Sequence, residues 1–188
     1  AGSFHYYFQP QAGRAFFGAS PERLFKRQGR SIESEALAGT RPRGRTKEED
    51  VCFEKKLFSS TKDALEHNIV AEAIKKSFHT LCLSFQADER PSVVKASSGQ
   101  HLITRFQGRL KKEIGDTHIL SELHPTPAVG GISRQKALKA IIGFEPFDRG
   151  WYAGPIGYIG QTSVDLAVAL RCALMHGRKV NLYAGAGI

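Results

Sequence analysis

Two glutamates and one arginine stand in surroundings that suit acid–base and carboxylate chemistry. Glu22 follows Ser20-Pro21 in a turn between two apolar stretches. Burial there raises a carboxyl pKa and makes it a general acid, whereas exposure leaves an ordinary turn residue. Glu66 lies in Ala64-Leu65-Glu66-His67-Asn68, where helical spacing puts it on one face with Val70 and Ala73. A carboxylate on such a partly apolar side is paired, holds a metal or, in a first turn, answers the helix dipole. Its neighbour His67 points about 100° away around a helix, so the two do not ordinarily share an ion. His67 therefore reads as packing or surface. Arg171 ends the apolar run Leu166-Ala167-Val168-Ala169-Leu170. A guanidinium there needs a carboxylate, either from an internal salt bridge or from a bound molecule held bidentately.

Four glycine-bearing segments offer close backbone approach and N–H groups for an anion: Ala38-Gly39-Thr40, Val129-Gly130-Gly131, Ala153-Gly154-Pro155 and Ala184-Gly185-Ala186-Gly187. Each alone also suits a turn or bulge. None matches a P-loop or a dinucleotide fingerprint.

The elements that must carry these residues alternate in type. Short strands are expected at Phe4–Phe8, Ala15–Gly18, Leu24–Lys26 and Ser31–Leu37, with Gly13 and Gly29 in turns. A helix capped by Thr61 or Asp63 runs to about Phe78, with Leu65, Ile69, Ala73 and Ile74 at three- and four-residue steps. Strands follow at Val93–Ala96, Leu102–Phe106 and Arg109–Lys111, then helices at Thr117–Leu123 and Ser133–Ile142, the latter capped by Ser133. Strands return at Tyr152–Ile159, Leu166–Leu174 and Val180–Tyr183. Runs of strands broken by isolated helices predict an α+β domain on largely antiparallel sheets.

Composition narrows the function classes. The chain has 188 residues, enough for one good-sized core. Cys52, Cys82 and Cys172 are odd in number and form no C-x-x-C, which argues against a disulfide framework or zinc site and fits a reducing, cytoplasmic compartment. No apolar run approaches a membrane span and no signal-peptide pattern opens the chain. Net charge is +9, which admits nucleic acid, an anionic surface or a small acidic substrate. The densest basic stretch, Arg41-Pro42-Arg43-Gly44-Arg45, is a loop by its Pro and Gly and has no interleaved aromatics to stack bases. It reads as solvated or anion-facing.

Taken in order, these segments resemble the chorismate-utilising enzymes. The resemblance rests on Phe17-Gly18-Ala19-Ser20-Pro21-Glu22-Arg23-Leu24, Glu35-Ala36-Leu37-Ala38-Gly39-Thr40 and Lys62-Asp63-Ala64-Leu65-Glu66-His67. It continues through His124-Pro125-Thr126-Pro127-Ala128-Val129-Gly130-Gly131 and Glu145-Pro146-Phe147-Asp148-Arg149-Gly150-Trp151-Tyr152-Ala153-Gly154. It closes on Ala167-Val168-Ala169-Leu170-Arg171 and Tyr183-Ala184-Gly185-Ala186-Gly187-Ile188. The Arg-Asn-Asp segment of the aminating branches has no counterpart in Ala71-Glu72-Ala73-Ile74-Lys75-Lys76, and the His-Pro-Thr-Pro-Ala and Phe-Asp-Arg-Gly wording is similar to isochorismate synthases of the menaquinone or siderophore branch. Ser133 stands where the family often has proline, and Asp165 where it often has glutamate.

The resemblance implies large antiparallel sheets packed face to face with helices outside, residues 1–188 being part of one chorismate-binding catalytic domain. It implies a magnesium-dependent conversion of chorismate to isochorismate, with water adding at C2 and the C4 hydroxyl leaving. Glu22 would be the general acid and Glu66 a magnesium ligand. Arg171, Tyr152 and the N–H groups around Gly185 would hold the enolpyruvyl carboxylate. Gly39, Thr40, His124, Thr126 and Ala128 would line the ring site. A general-base lysine is expected upstream of Ala1, and a second metal carboxylate with a substrate-binding lysine beyond Ile188. This chain alone is accordingly expected to be inactive and to expose an edge strand, while the full-length enzyme is expected to be a monomer. Salicylate synthase and anthranilate or aminodeoxychorismate synthase components share the scaffold and are the alternatives. A nucleic-acid module using Arg41–Arg45 leaves the other motifs unexplained, so neither nucleic acid nor membrane is an expected partner.

Overall fold

The computed structural model describes residues 2–96 and 99–185. The alternating first forty positions form β1 (Phe4–Gln11), β2 (Arg14–Ser20), β3 (Arg23–Gln28) and β4 (Ser31–Arg41). Helices α1 (Lys47–Ser59) and α2 (Thr61–Leu81) follow, then β5 (Cys82–Ala87), β6 (Ser92–Lys95) and β7 (Gln100–Leu110). Next come α3 (Asp116–Leu123), α4 (Pro127–Gly130) and α5 (Arg134–Phe144), and finally β8 (Pro155–Ile159), β9 (Ser163–Val168), β10 (Cys172–His176) and β11 (Lys179–Tyr183). No helix among the described residues is long and apolar enough to cross a membrane.

Two sheets result, ordered β1-β2-β10-β11 and β5-β7-β4-β3-β9-β8, with β6 also on β7. Every pairing is antiparallel, as the α+β expectation requires. The larger sheet turns Leu24, Ile32, Ala36 and Phe106 toward Val70, Ile74, Phe78 and Leu81 of α2, which makes the main core. The helix is where the sequence places it, but its buried face is not the expected one: α2 turns His67, Val70, Ile74, Phe78 and Leu81 inward, while of Leu65, Ile69, Ala73 and Ile74 only Ile74 is fully buried and Leu65 is exposed. Phe16, Ala169 and Cys172 make a smaller cluster on the four-stranded sheet, backed by Tyr6, Tyr152, Leu174 and Tyr183.

The chain crosses between sheets twice near this cluster. Residues after Ser20 carry it from β2 to β3, and residues after Val168 carry it from β9 back to β10. The second crossing corrects the sequence reading of one strand over Leu166–Leu174. The strand ends at Val168, and Arg171 sits at φ +49° between β9 and β10, so it is a corner residue and not a strand terminus. Arg109–Lys111 likewise is no separate strand but the end of β7.

Further departures have physical causes. Helix α1 escapes the apolar pattern because it buries only Leu57 and Asp50, and the Thr46 hydroxyl caps it by accepting from Glu49 N–H at 3.3 Å. Ser133 precedes α5 as expected, but at φ +52° its side chain makes no capping bond. The basic loop is solvent-exposed at Pro42, Arg43 and Arg45, as expected, and two of its arginines face carboxylates of the chain itself. Arg43 grips Asp50 with two hydrogen bonds, at 2.8 and 3.1 Å, and Arg41 pairs with Asp63. Arg43 and then the Gly44 N–H hold the Asp50 carboxyl well below the usual carboxylate range.

Candidate active site

A cavity of about 320 Å³ opens where the two crossings meet the end of β4 and the first turns of α2. Glu22 enters it from the first crossing. The residue is 4% exposed, its N–H donates to Ser20 Oγ at 3.1 Å, and its carbonyl accepts from Val168 N–H at 3.1 Å. The backbone is thus tied to both β2 and β9. Burial, with the neighbouring Glu35 carboxyl adding to it, pushes the Glu22 pKa up to about 8; the Thr126 hydroxyl opposes the rise. Near neutral pH the side chain is a protonated acid in a closed wall.

Arg171 enters from the second crossing and is exposed. Its carbonyl fixes the corner by accepting from Ala19 N–H at 3.2 Å. None of the nine ion pairs among the described residues includes Arg171 or Glu66. The internal salt bridge that the sequence allowed does not form among the described residues.

The floor is β4. A register shift between Ala38 and Thr40 bulges Gly39 at φ +73°, where a Cβ would crowd Asp63 Cβ at 3.2 Å. Thr40 Oγ1 lies 3.0 Å from Nδ1 of His101, its partner across β7, and His101 Nε2 lies 3.5 Å from Arg171 Nη2. Burial first, then the Arg171 charge, depress the His101 pKa, so the ring is neutral. Sequence reasoning missed His101. Its signal was a polar residue at the buried start of β7 beside Gln100, also buried.

Tyr152 and Gly185 close the far side, and Ala128 comes from α4. Tyr152 stacks on Tyr183 at 5.4 Å, and a Cβ on Gly185 would strike the Tyr152 hydroxyl. Arg149 braces this corner: it binds Glu145 through two hydrogen bonds, donates to the Val129 carbonyl at 3.1 Å, and lies 5.7 Å from the Tyr152 ring. Of the residues singled out in the sequence, Glu22, Gly39, Thr40, Glu66, Ala128, Tyr152, Arg171 and Gly185 line this one cavity. Thr126 and His124 do not. Thr126 is buried beside Glu22, and His124 caps the end of α3 with its ring Nδ1 buried and unpartnered. His67 is buried as packing, its Nε2 2.8 Å from Thr104 Oγ1.

Glu66 is half-buried on the α2 side of the cavity. Among the described residues no three His, Cys, Asp or Glu side chains cluster to form a metal cage. One hard oxygen donor facing an anion-sized cavity does fit magnesium, which typically takes one or two carboxylates and completes its shell with substrate oxygens and water. A larger cavity of about 490 Å³ opens on the four-stranded sheet beside Arg14, Phe16, Trp151 and His176. It has no acidic residue in its wall, so acid chemistry belongs to the smaller one.

Comparison with known proteins gives this geometry its relatives. A family model described as chorismate binding enzyme matches residues 1–188. The isochorismate synthase MenF of Bacillus subtilis is 41% identical over 179 residues, covering 95% of this chain and 38% of the relative. The chloroplastic isochorismate synthase 2 of Arabidopsis thaliana is 42% identical over 187 residues, covering 99% and 33%. The solved structure of the menaquinone-specific isochorismate synthase MenF from Escherichia coli superposes with a TM-score of 0.92 at 34% identity, over 99% of this chain and 43% of that one. The chain thus spans well under half the length of these relatives.

Proposed function

Because this chain belongs to the chorismate-binding enzymes, we propose that the full-length protein is an isochorismate synthase, with residues 1–188 forming part of its catalytic domain. The observation that carries the reading is the pairing, in one cavity, of a buried carboxyl with pKa about 8 and a guanidinium with no carboxylate partner among the described residues. Chorismate is a small dianion with a hydroxyl that must leave, and those two groups answer its two needs.

Arg171 holds the enolpyruvyl carboxylate, with Tyr152 and the backbone at Gly185 shaping that end. Gly39, Thr40 and Ala128 border the ring; Thr126 and His124 act from behind the wall. Glu22 gives its proton to the C4 hydroxyl oxygen as the C4–O bond breaks, so that water leaves, while a second water adds at C2 and gives up a proton to the general-base lysine that the family resemblance implies. A neutral carboxyl both supplies that proton and spares the dianion a third negative charge nearby. Glu66 would hold Mg2+, which supplies positive charge at the ring carboxylate. The net charge of +9 favours approach of such a substrate. Free Cys52, Cys82 and Cys172 suit a reducing cytoplasm, and a monomer is the proposed state.

The test is product identity. Full-length protein incubated with chorismate and Mg2+, with and without ammonia, is expected to form isochorismate in both cases. Anthranilate formed only with ammonia, or salicylate with pyruvate, would replace this reading with another chemistry on the same scaffold.

A further inference from the structure

Glu35 has no place in the mechanism above and does not line the cavity, yet its carboxylate reaches the peptide that follows Glu22. It lies on β4 and is partly buried. Its Oε1 accepts from the backbone N–H of Arg23 at 3.3 Å, one residue beyond Glu22. The carboxylate thereby pins the chain where it leaves the first crossing and enters β3. Arg23 turns its guanidinium away to Asp165 on β9, at 3.6 Å, and over the Phe4 ring at 5.0 Å. Arg105, opposite Glu35 in the β4–β7 register, is exposed.

We propose that Glu35 is the positioning residue for Glu22, holding the peptide that follows it and setting a negative charge close by. This rests on Glu22 being the acid of the proposed reaction. An acid that must keep its proton until the C4–O bond breaks is helped by a fixed like charge nearby that does not itself line the cavity. A lone buried carboxyl depends on desolvation alone, which fades whenever water enters an open cavity. A charge fixed to the neighbouring strand persists. The charged and titratable groups around the pair are Arg23 on β3, Asp165 on β9 and Arg105 on β7; Glu66, His101, Arg171 and Tyr152 line the cavity. Burial, with Asp165 adding to it, raises the Glu35 pKa above the ordinary carboxyl value, and the Arg23 N–H, the Arg23 charge and the Arg105 charge offset that rise in part. Glu35 in turn ranks second after burial among the causes that raise Glu22.

The experiment measures kcat for chorismate against pH in the full-length protein, wild type and Glu35→Gln. Glutamine keeps an oxygen for the Arg23 N–H but removes the charge. The alkaline limb is expected to move about one unit toward acid, so that the variant-to-wild-type rate ratio falls about tenfold between pH 6 and pH 9. A constant ratio across that range overturns the inference and leaves Glu35 structural. If Glu35→Gln fails to fold, Glu35→Asp decides, since drawing the charge back by one methylene moves the limb the same way by a smaller step; an unmoved limb there also overturns it. Glu22→Gln is run beside them. Wild-type rates and an unchanged profile in that variant would instead show that Glu22 is not the acid, a separate failure.

Discussion

Residues 20–22 and 169–171 make the two crossings between the four-stranded and seven-stranded sheets, and both deliver a side chain to one cavity. At the first, Ser20 and Glu22 are buried and the backbone is bonded to its neighbours. At the second, Leu170 is half-buried, and Arg171 is exposed at φ +49°. The same topological event yields an enclosed acid and an open cation. Burial changes the acid, since a carboxyl moved out of water keeps its proton. Exposure leaves the guanidinium without a carboxylate partner among the described residues, as the proposed substrate contact requires. In the proposed reaction the closed first corner supplies the acid and the open second one the anion receptor.

The largest effect expected from breaking this contrast comes from Glu22→Gln. The amide keeps the shape and loses the proton, and kcat for chorismate should fall about 10²- to 10⁴-fold, the usual contribution of a general acid. In the wild type, kcat should fall as pH rises through about 8, because the acid works only while protonated. Arg171→Gln should act differently. Loss of a charged hydrogen bond worth about 1.5–3 kcal/mol should raise KM about 10- to 100-fold and leave the alkaline limb of kcat where it was. A shifted limb would show that the two crossings are not electrically separate.

A third measurement sharpens the contrast through stability. Glu22 has its pKa raised in the folded state, so the folded protein binds its proton more tightly than the unfolded chain. That contribution is complete below the ordinary carboxyl pKa of 4.5 and is lost progressively as pH rises to about 8. Glu22→Gln, which cannot ionise, should therefore melt increasingly above the wild type as pH rises through this window. An equal difference at pH 4.5 and pH 8 would mean that Glu22 ionises as freely in the folded protein as in the unfolded one.

The two corners were unequally legible in the sequence. Glu22 was visible as an acid after Ser-Pro between strands, but its burial depends on β9 and Thr126, which are more than a hundred positions away. The apolar run Leu166–Leu174 hid the second corner, because strand propensity is high on both sides of Arg171 and nothing local announces a left-handed arginine. Most strands of the larger sheet and the span of α2 could be read from their patterns, but β5 and the buried face of α2 could not. Helix α1 could not, since its charged surface carries almost no apolar stripe. Glu35 and His101 escaped for another reason. Each matters through a cross-strand neighbour, and register is not written in the strand itself.

The smallest effect separates backbone from side chain at the open corner. A non-glycine residue in the left-handed region carries a steric penalty of about 1–2 kcal/mol, from Cβ against the following carbonyl. Glycine avoids that penalty but loses more entropy on folding, about 0.5–1 kcal/mol. Arg171→Gly should therefore be more stable than Arg171→Ala by about 1 kcal/mol or less, the reverse of the usual order in a strand. Denaturant midpoints of the two variants at equal m-value would measure it. Both variants should lose substrate affinity to the same degree, because both lack the guanidinium. Alanine equal to or above glycine in stability would place Arg171 in ordinary extended backbone, and the contrast between a closed corner and a bent, open one would fail at its second term.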